Sequence, residues 1–241
     1  MQRVSWCSTV ALCLLAAVSR ADETNVAASL IPFASLTLTN RALVRSVTDH
    51  YTLRREYDPR EFKARKSHVD YLMDHLDVCS VLAQSVGLIQ YRATRGPDGR
   101  LFADDHEGSK GYLTMAYIGD SKRVYYVQGT EEGLFTVEGR GVAVVDYELT
   151  EPDTVRYTGA MFVKVDNVVV AALAQLFGVF LQGTVDRHFN HVLRHPIKLS
   201  EMASSDPQPL LDKIGQMPGP DRALLAPFVE LLHPGTNEPA R

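Results

Sequence analysis

Three histidines, His188, His191 and His195, recur at spacings of three and four residues. On a helix turning 100° per residue they fall within an arc of about 60°, beside an apolar stripe formed by Leu181, Val185, Phe189 and Val192. Neutral imidazoles on one helix face are zinc donors elsewhere, but one helix spreads three such rings along its axis and seldom aims them at one ion. No His-Glu-x-x-His pattern brings a general base with them. Three readings stay open: a metal site, a polar patch lining a cavity, and the polar border of a helix that faces a core. The border is the ordinary one, so no metal or cofactor is expected, and His188, His191 and His195 are the candidate ligands if one is held. Cys79 lies four residues after His75, a spacing that suits a Cys–His nucleophile, yet it sits beside an apolar helical stripe and reads as a small core residue. Asp104-Asp105-His106-Glu107-Gly108 alternates oxygen donors without the spacing of an EF-hand loop, and reads as a solvated hairpin end. Asp70, Asp74 and Asp77 make a like-charged stripe, expected on a solvated face. The chain has no Gly-x-Ser-x-Gly elbow, phosphate loop, dinucleotide fingerprint or c-type haem motif, which counts against the common serine hydrolases, nucleotide enzymes and haem carriers.

The N-terminus speaks to location. Met1-Gln2-Arg3 precedes a charge-free run over 4–18, then Ser19-Arg20-Ala21 with small residues where a signal peptidase reads, then Asp22 and Glu23. That is the order of a cleavable secretory signal. The apolar run is shorter than the roughly twenty residues that span a bilayer. Export to the periplasm or the exterior is therefore expected, with cleavage near Ala21. Cleavage removes Cys7 and Cys13, so Cys79 alone remains and no internal disulfide forms. It also removes Arg3 and Arg20, which leaves 23 basic residues against 29 acidic ones and a net charge of −6. Such a chain has no electrostatic footprint for nucleic acid and no polybasic segment for anionic lipid. Without cross-links, its stability must come from a buried core.

The elements that position these residues follow from periodicity. A strand is expected over 50–57, ended by Asp58-Pro59. Ser67 then caps a helical stretch to Gly87, in which Val69, Leu72, Met73, Leu76, Ser80 and Ala83 share a face and a break near Asp77 is allowed. From 88 to 165 the pattern becomes strand and turn: strands over 89–94, 111–118, 123–128, 134–149 and 154–165, with tight turns at Gly96-Pro97-Asp98-Gly99 and Gly119-Asp120-Ser121-Lys122. Ala143, Val145, Tyr147 and Leu149 fall on one strand face, as do Val155, Tyr157, Met161, Val163 and Val165 on the next strand. Consecutive strands with short turns predict an antiparallel meander. A long helix, capped by Asn167 and stopped by Pro196, follows it. Its first half, 168–181, is free of charge but too short to span a membrane, which makes it a helix buried against the sheet. The expected organisation is a signal peptide over 1–21, a segment without clear structure over 22–44, one domain over 45–196, and a Pro-rich tail over 197–241. Two short apolar pieces of that tail, 210–214 and 223–232, are expected to dock as helices.

A strand, one or two helices, an antiparallel meander and a long C-terminal helix: this order over 45–195 resembles the helix-grip superfamily. Its members include START lipid-transfer domains, plant pathogenesis-related ligand binders and polyketide cyclases. Tyr71-Leu72-Met73-Asp74-His75 and the stretch 157–167 look like those of exported members of the superfamily. The resemblance implies an α+β fold in which a curved antiparallel sheet wraps the long C-terminal helix and leaves an apolar cavity between them. It implies a binding protein for a hydrophobic small molecule or lipid. Tyr147, Tyr157 and Met161 from the sheet, with Phe177, Leu181 and His188 from the helix, are the expected lining residues. The alternatives are a cavity enzyme using His188 or His191 as acid and base, and an interaction module for an envelope protein. The superfamily shares no universal catalytic residues, so none carry over, and the tail after Pro196 departs from its usual ending.

Overall fold

A computed structural model describes residues 27–132, 136–166 and 178–233, and between 178 and 192 only the side chains of Asp186 and Phe189. Seven strands form one antiparallel sheet: β1 (Leu53–Lys63), β2 (Ala93–Arg95), β3 (Leu101–Asp104), β4 (Ser109–Ile118), β5 (Lys122–Glu131), β6 (Val137–Glu151) and β7 (Thr154–Val165). Their order is β1-β7-β6-β5-β4-β3-β2: β2 to β7 run as a meander, and β1 joins its far edge beside β7. Ahead of the sheet lies α1 (Leu38–Thr48), between β1 and β2 lie α2 (Lys66–Asp74) and α3 (Leu76–Ser85), and after β7 come α4 (Gly178–Ser205), α5 (Gln208–Gly215) and α6 (Gly219–Leu232). Among the described residues, no helix is long and apolar enough to cross a membrane.

The curvature of the sheet has a local cause. Gly111, Gly129 and Gly139 are cross-strand neighbours on β4, β5 and β6. A Cβ on Gly111 would lie 2.6 Å from the Gln128 carbonyl oxygen, and one on Gly129 would lie 2.4 Å from that of Lys110. Only glycine lets the strands approach this closely along the line where the sheet bends.

The sheet buries both faces. On the inner face Ala143, Val145 and Tyr147 pair across β6 and β7 with Met161, Gly159 and Tyr157, and pack with Phe189 and Leu193 of α4. On the outer face Val124, Tyr126, Val142, Val144, Ala160 and Phe162 are covered by Ala27, Ile31 and Leu36 and by Val44 and Val47 of α1. The segment that the periodicity left without structure thus forms an outer layer. Thr37 caps α1 by accepting from the Asn40 amide at 3.2 Å, and Asn40 Nδ2 donates to the Ala116 carbonyl of β4 at 3.0 Å.

Four expectations need correction. β1 does not stop at Asp58-Pro59. It is an edge strand with a bulge between Tyr57 and Arg60, so the missing proline N–H costs no ladder bond. The N-cap of α2 is Arg65 rather than Ser67, and the break between α2 and α3 falls at His75. Of the stretch 89–94 only its end is strand, in β2, and the periodicity missed the short β3. Pro196 does not end α4, which runs on to Ser205. An interior proline costs about 3 kcal/mol. Beyond it Leu199 and Ala203 are fully buried, and each large apolar side chain that leaves water returns roughly 1.5–3 kcal/mol. These residues join Leu72, Val78, Val81 and Leu82 with Leu210, Ile214, Leu225 and Phe228 of α5 and α6 in a third apolar cluster. Both apolar pieces of the tail are therefore docked helices.

His68 fastens that layer. Its Nε2 donates to the Leu231 carbonyl of α6 (3.2 Å), and its Nδ1 accepts from the Ser204 hydroxyl of α4 (2.9 Å), which itself accepts from the Arg65 amide (2.8 Å). One donated and one accepted bond match a neutral ring, and burial, with a smaller push from nearby Arg65, lowers the His68 pKa below the ordinary 6.5. The unfolded chain therefore binds the proton first as pH falls. The contribution of His68 to stability is complete above about pH 6.5 and is lost as pH drops through the lowered folded value. Thermal melts from pH 7.5 to 5 should show a steeper loss for the wild type than for His68→Gln; equal slopes would remove the clasp from the account.

Candidate functional site

The inner face of the sheet is not evenly filled. The Phe189 ring of α4 sits where a Cβ of Gly159 would stand, with Cζ 2.3 Å from that position. The same ring stacks on Tyr57 of β1, centroids 3.7 Å apart and planes parallel. Arg55 of β1 donates to both Asp186 oxygens (3.1 and 2.9 Å), and the Tyr57 hydroxyl donates to one of them (3.1 Å). The Arg55 guanidinium holds the Asp186 carboxyl below its usual range. α4 is thus seated over β1 and β7, at one end of the sheet.

At the other end a cavity of about 100 Å³ remains between sheet and helices. Leu76, Cys79 and Ser80 of α3 form one wall, with Ile89 and Tyr91 beyond them. Ala93, Leu101, Ala103 and Leu113 of β2, β3 and β4 form the floor, and His195 and Pro196 of α4 close it. The lining is mainly aliphatic and aromatic. Its Ser80 hydroxyl is already engaged: it accepts from the Ala93 amide (2.9 Å) and donates to the Asp77 carbonyl (2.8 Å), which pins the β2 edge to α3. Small side chains at positions 93 and 103 make the hollow. Among the described residues, none from α5 or α6 lines it.

The structure separates the residues singled out in the sequence. Tyr147, Tyr157 and Met161 are gathered on the inner face of β6 and β7, within the cluster that holds Phe189 and Leu193. Tyr157 meets Phe62 edge-on at 5.9 Å. The Tyr147 hydroxyl donates to Asp70 at 2.6 Å. None of these three borders the cavity between α3 and β2–β4. Phe177 lies outside the described residues, as do the side chains of Leu181, His188 and His191. His195 is buried at the cavity wall. Among the described residues, no group of three or more His, Cys, Asp or Glu is placed to hold a metal ion.

The aspartate stripe is not a solvated face. Arg123 reaches in from β5, with its side chain only 3% exposed, and pairs with both Asp70 and Asp74. Asp77 takes two bonds from Arg95, at 2.9 and 3.0 Å. A buried guanidinium needs paired carboxylates, and sequence spacing on the helix alone does not reveal a partner that arrives from a distant strand. In the loop after β3, the Asp104 and Asp105 carboxylates accept from the backbone amides of His106, Glu107 and Ser109, each at 2.8 Å, so their oxygens cap the turn. An apolar cavity between sheet and helix was expected from the resemblance, but its lining residues were not. Its only signal was the alanine pair, Ala93 and Ala103, on strands too short to show alternation.

Cys79 is fully buried against the cavity, and burial pushes its thiol far above the ordinary thiol range. His75 is no base for it: the imidazole lies against the Tyr71 ring, centroids 4.4 Å apart. A thiol in this setting is a wall and not a nucleophile. Native protein should keep Cys79 from a disulfide thiol reagent, and unfolding should make it react. Prompt stoichiometric reaction of the native state would contradict the burial.

No protein-family model matches the chain, and no curated protein matches its sequence. Solved structures do share its outline. A conserved protein from Geobacillus kaustophilus aligns over 61% of this chain and 96% of its own, at 14% identity and a TM-score of 0.43. A START superfamily protein from Mycobacterium smegmatis aligns over 61% and 97%, at 11% identity and a TM-score of 0.37. Ara h 8.0201 aligns over 61% and 98%, at 9% identity and a TM-score of 0.39. At these identities no residue's role passes from them to this chain. The chain's own strand order, with two short helices ahead of the meander and the long helix α4 after it, is that of an α+β helix-grip fold.

Proposed function

We propose that the chain is an exported binding protein for a hydrophobic small molecule or the apolar part of a lipid. One observation carries the reading: the apolar cavity bounded by α3, the floor of β2–β4, and His195 and Pro196 of α4. Apolar walls supply a non-directional driving force, and a few polar heads near them supply orientation. An apolar cavity of this kind stays dry, and one of about 150 Å³ takes a benzene ring. A hollow of about 100 Å³ therefore suits a branched or alkyl terminus. In this reading the rest of the ligand leaves the hollow past Leu113. Tyr147, Tyr157, Met161, Phe177, Leu181 and His188 remain the candidate contacts for it. Burial of Cys79 removes a thiol nucleophile from the cavity wall.

Native mass spectrometry of protein recovered from the exporting host tests both halves. The polypeptide mass should begin at Asp22, and an extra mass should be released by organic solvent. Ala103→Leu, which fills the hollow with three more carbons, should lose that mass while melting within a few degrees of the wild type. A protein that begins at Met1, or one that carries no ligand and binds no fatty acid, phospholipid or sterol, would overturn the corresponding half. A ligand kept by Ala103→Leu would place it outside the cavity.

A further inference from the structure

α1 and the segment before it cover the outer face of the sheet only over its apolar half, where Val124, Tyr126, Val142, Val144, Ala160 and Phe162 lie. Farther along the same strands the outward positions change character. On β5 Tyr126 gives way to Gln128 and Thr130, on β6 Val142 gives way to Arg140 and Glu138, and on β7 Phe162 gives way to Lys164 and Asp166. Over this half lies an open groove of about 430 Å³, whose floor crosses the backbone of Gly111, Gly129 and Gly139.

Two features define what fits. The first is aromatic surface: Phe102 and Tyr112 are cross-strand partners with centroids 5.1 Å apart, and Tyr112 is 44% exposed. Arg100 covers part of that surface, its guanidinium lying over the Tyr112 ring at 4.5 Å from the centroid. The second is charge that is already spent. Arg100 is held by Asp98 at 2.6 Å, Lys110 by Glu132 at 2.7 Å, and Asp166 by the Arg140 guanidinium at 3.0 Å. Paired ions leave little net field for an ionic ligand. What remains for hydrogen bonding is the exposed amide of Gln128 and the exposed carboxylate of Glu138. A ligand that uses both features is uncharged, has an apolar ring face and carries hydroxyls at its edge.

We propose that this groove is a second binding site, separate from the apolar cavity, and that it takes a neutral saccharide. The ring face lies on Tyr112 and Phe102, and the hydroxyls bond to Gln128 and Glu138. The groove opens on the outer face and the cavity on the inner face, so the two sites do not compete.

NMR titration of isotope-labelled mature protein with maltotetraose and with chitotetraose tests the site. At least one should shift the amides of Tyr112, Gln128 and Thr130 at about 1–10 mM, and Tyr112→Ala should weaken that binding by roughly tenfold. Tyr112→Phe, which keeps the ring, should bind as the wild type does. Gln128→Ala, an exposed change that leaves the sheet intact, should weaken it as well. No shift with either sugar, shifts only with a tetralysine or heparin-disaccharide control, or unchanged affinity in both Tyr112→Ala and Gln128→Ala would each overturn the proposal. Ala103→Leu, which fills the cavity, should leave these shifts unchanged, so failure of one site is told apart from failure of the other.

Discussion

Phe189 seated over Gly159 decides where the long helix lies. The ring occupies the space that any other residue at position 159 would fill, and its far face stacks on Tyr57. Burying a phenylalanine is worth roughly 1.5–3 kcal/mol, and an aromatic pair adds about 0.5–1.5. The neighbouring Arg55–Asp186 pair is about one third exposed on both sides, and such pairs contribute about 0–1 kcal/mol. The ring therefore sets the position and the ion pair fixes the rotation. With α4 held over β1 and β7, its later turns meet α2 and α3, and the floor of β2–β4 is left with only Ala93, Ala103, Leu101 and Leu113 beneath it. The cavity is the space that this seating leaves at the opposite end of the sheet.

A buried polar knot holds the other wall. Arg123, Asp70, Asp74 and Tyr147 tie α2 to β5 and β6, and the Tyr125 hydroxyl donates to the Met73 carbonyl at 3.0 Å within the same region. Such a knot adds little net stability over well-packed apolar residues, but it keeps the Arg123 guanidinium, only 3% exposed, paired. It works as a registration device: α2 can sit on the sheet in one place only, and α3, which continues from it at His75, then presents Cys79 and Ser80 to the hollow.

Much of this was legible in the sequence. The meander, the break between α2 and α3, the long helix and the docked tail pieces all follow from periodicity and turn residues. So did the shared inner face of Ala143, Val145, Tyr147, Tyr157 and Met161. What failed, failed for stated reasons. Pro59 and Pro196 read as stops, yet an edge strand tolerates the first and a buried third cluster outweighs the second. The run Gly141-Val142-Ala143-Val144-Val145 lacks polar alternation, which is the mark of a strand buried on both faces, yet only its inner face was expected and the outer layer of α1 was not. The Asp70, Asp74 and Asp77 stripe hid its partners because Arg123 and Arg95 arrive from strands far along the chain. The cavity left almost no trace, since a void is recorded only as residues that are smaller than their neighbours.

The account turns on one claim, that seating α4 at the β1–β7 end leaves an apolar void at the β2–β4 end. Crystals of the protein under xenon pressure test it most directly, because xenon enters apolar cavities without needing a specific ligand. The account predicts xenon among Ala103, Leu113, Cys79 and Pro196 in the wild type, and its loss from Ala103→Leu. Wild-type crystals with no xenon among those residues, or xenon bound only beneath Phe189, would contradict it.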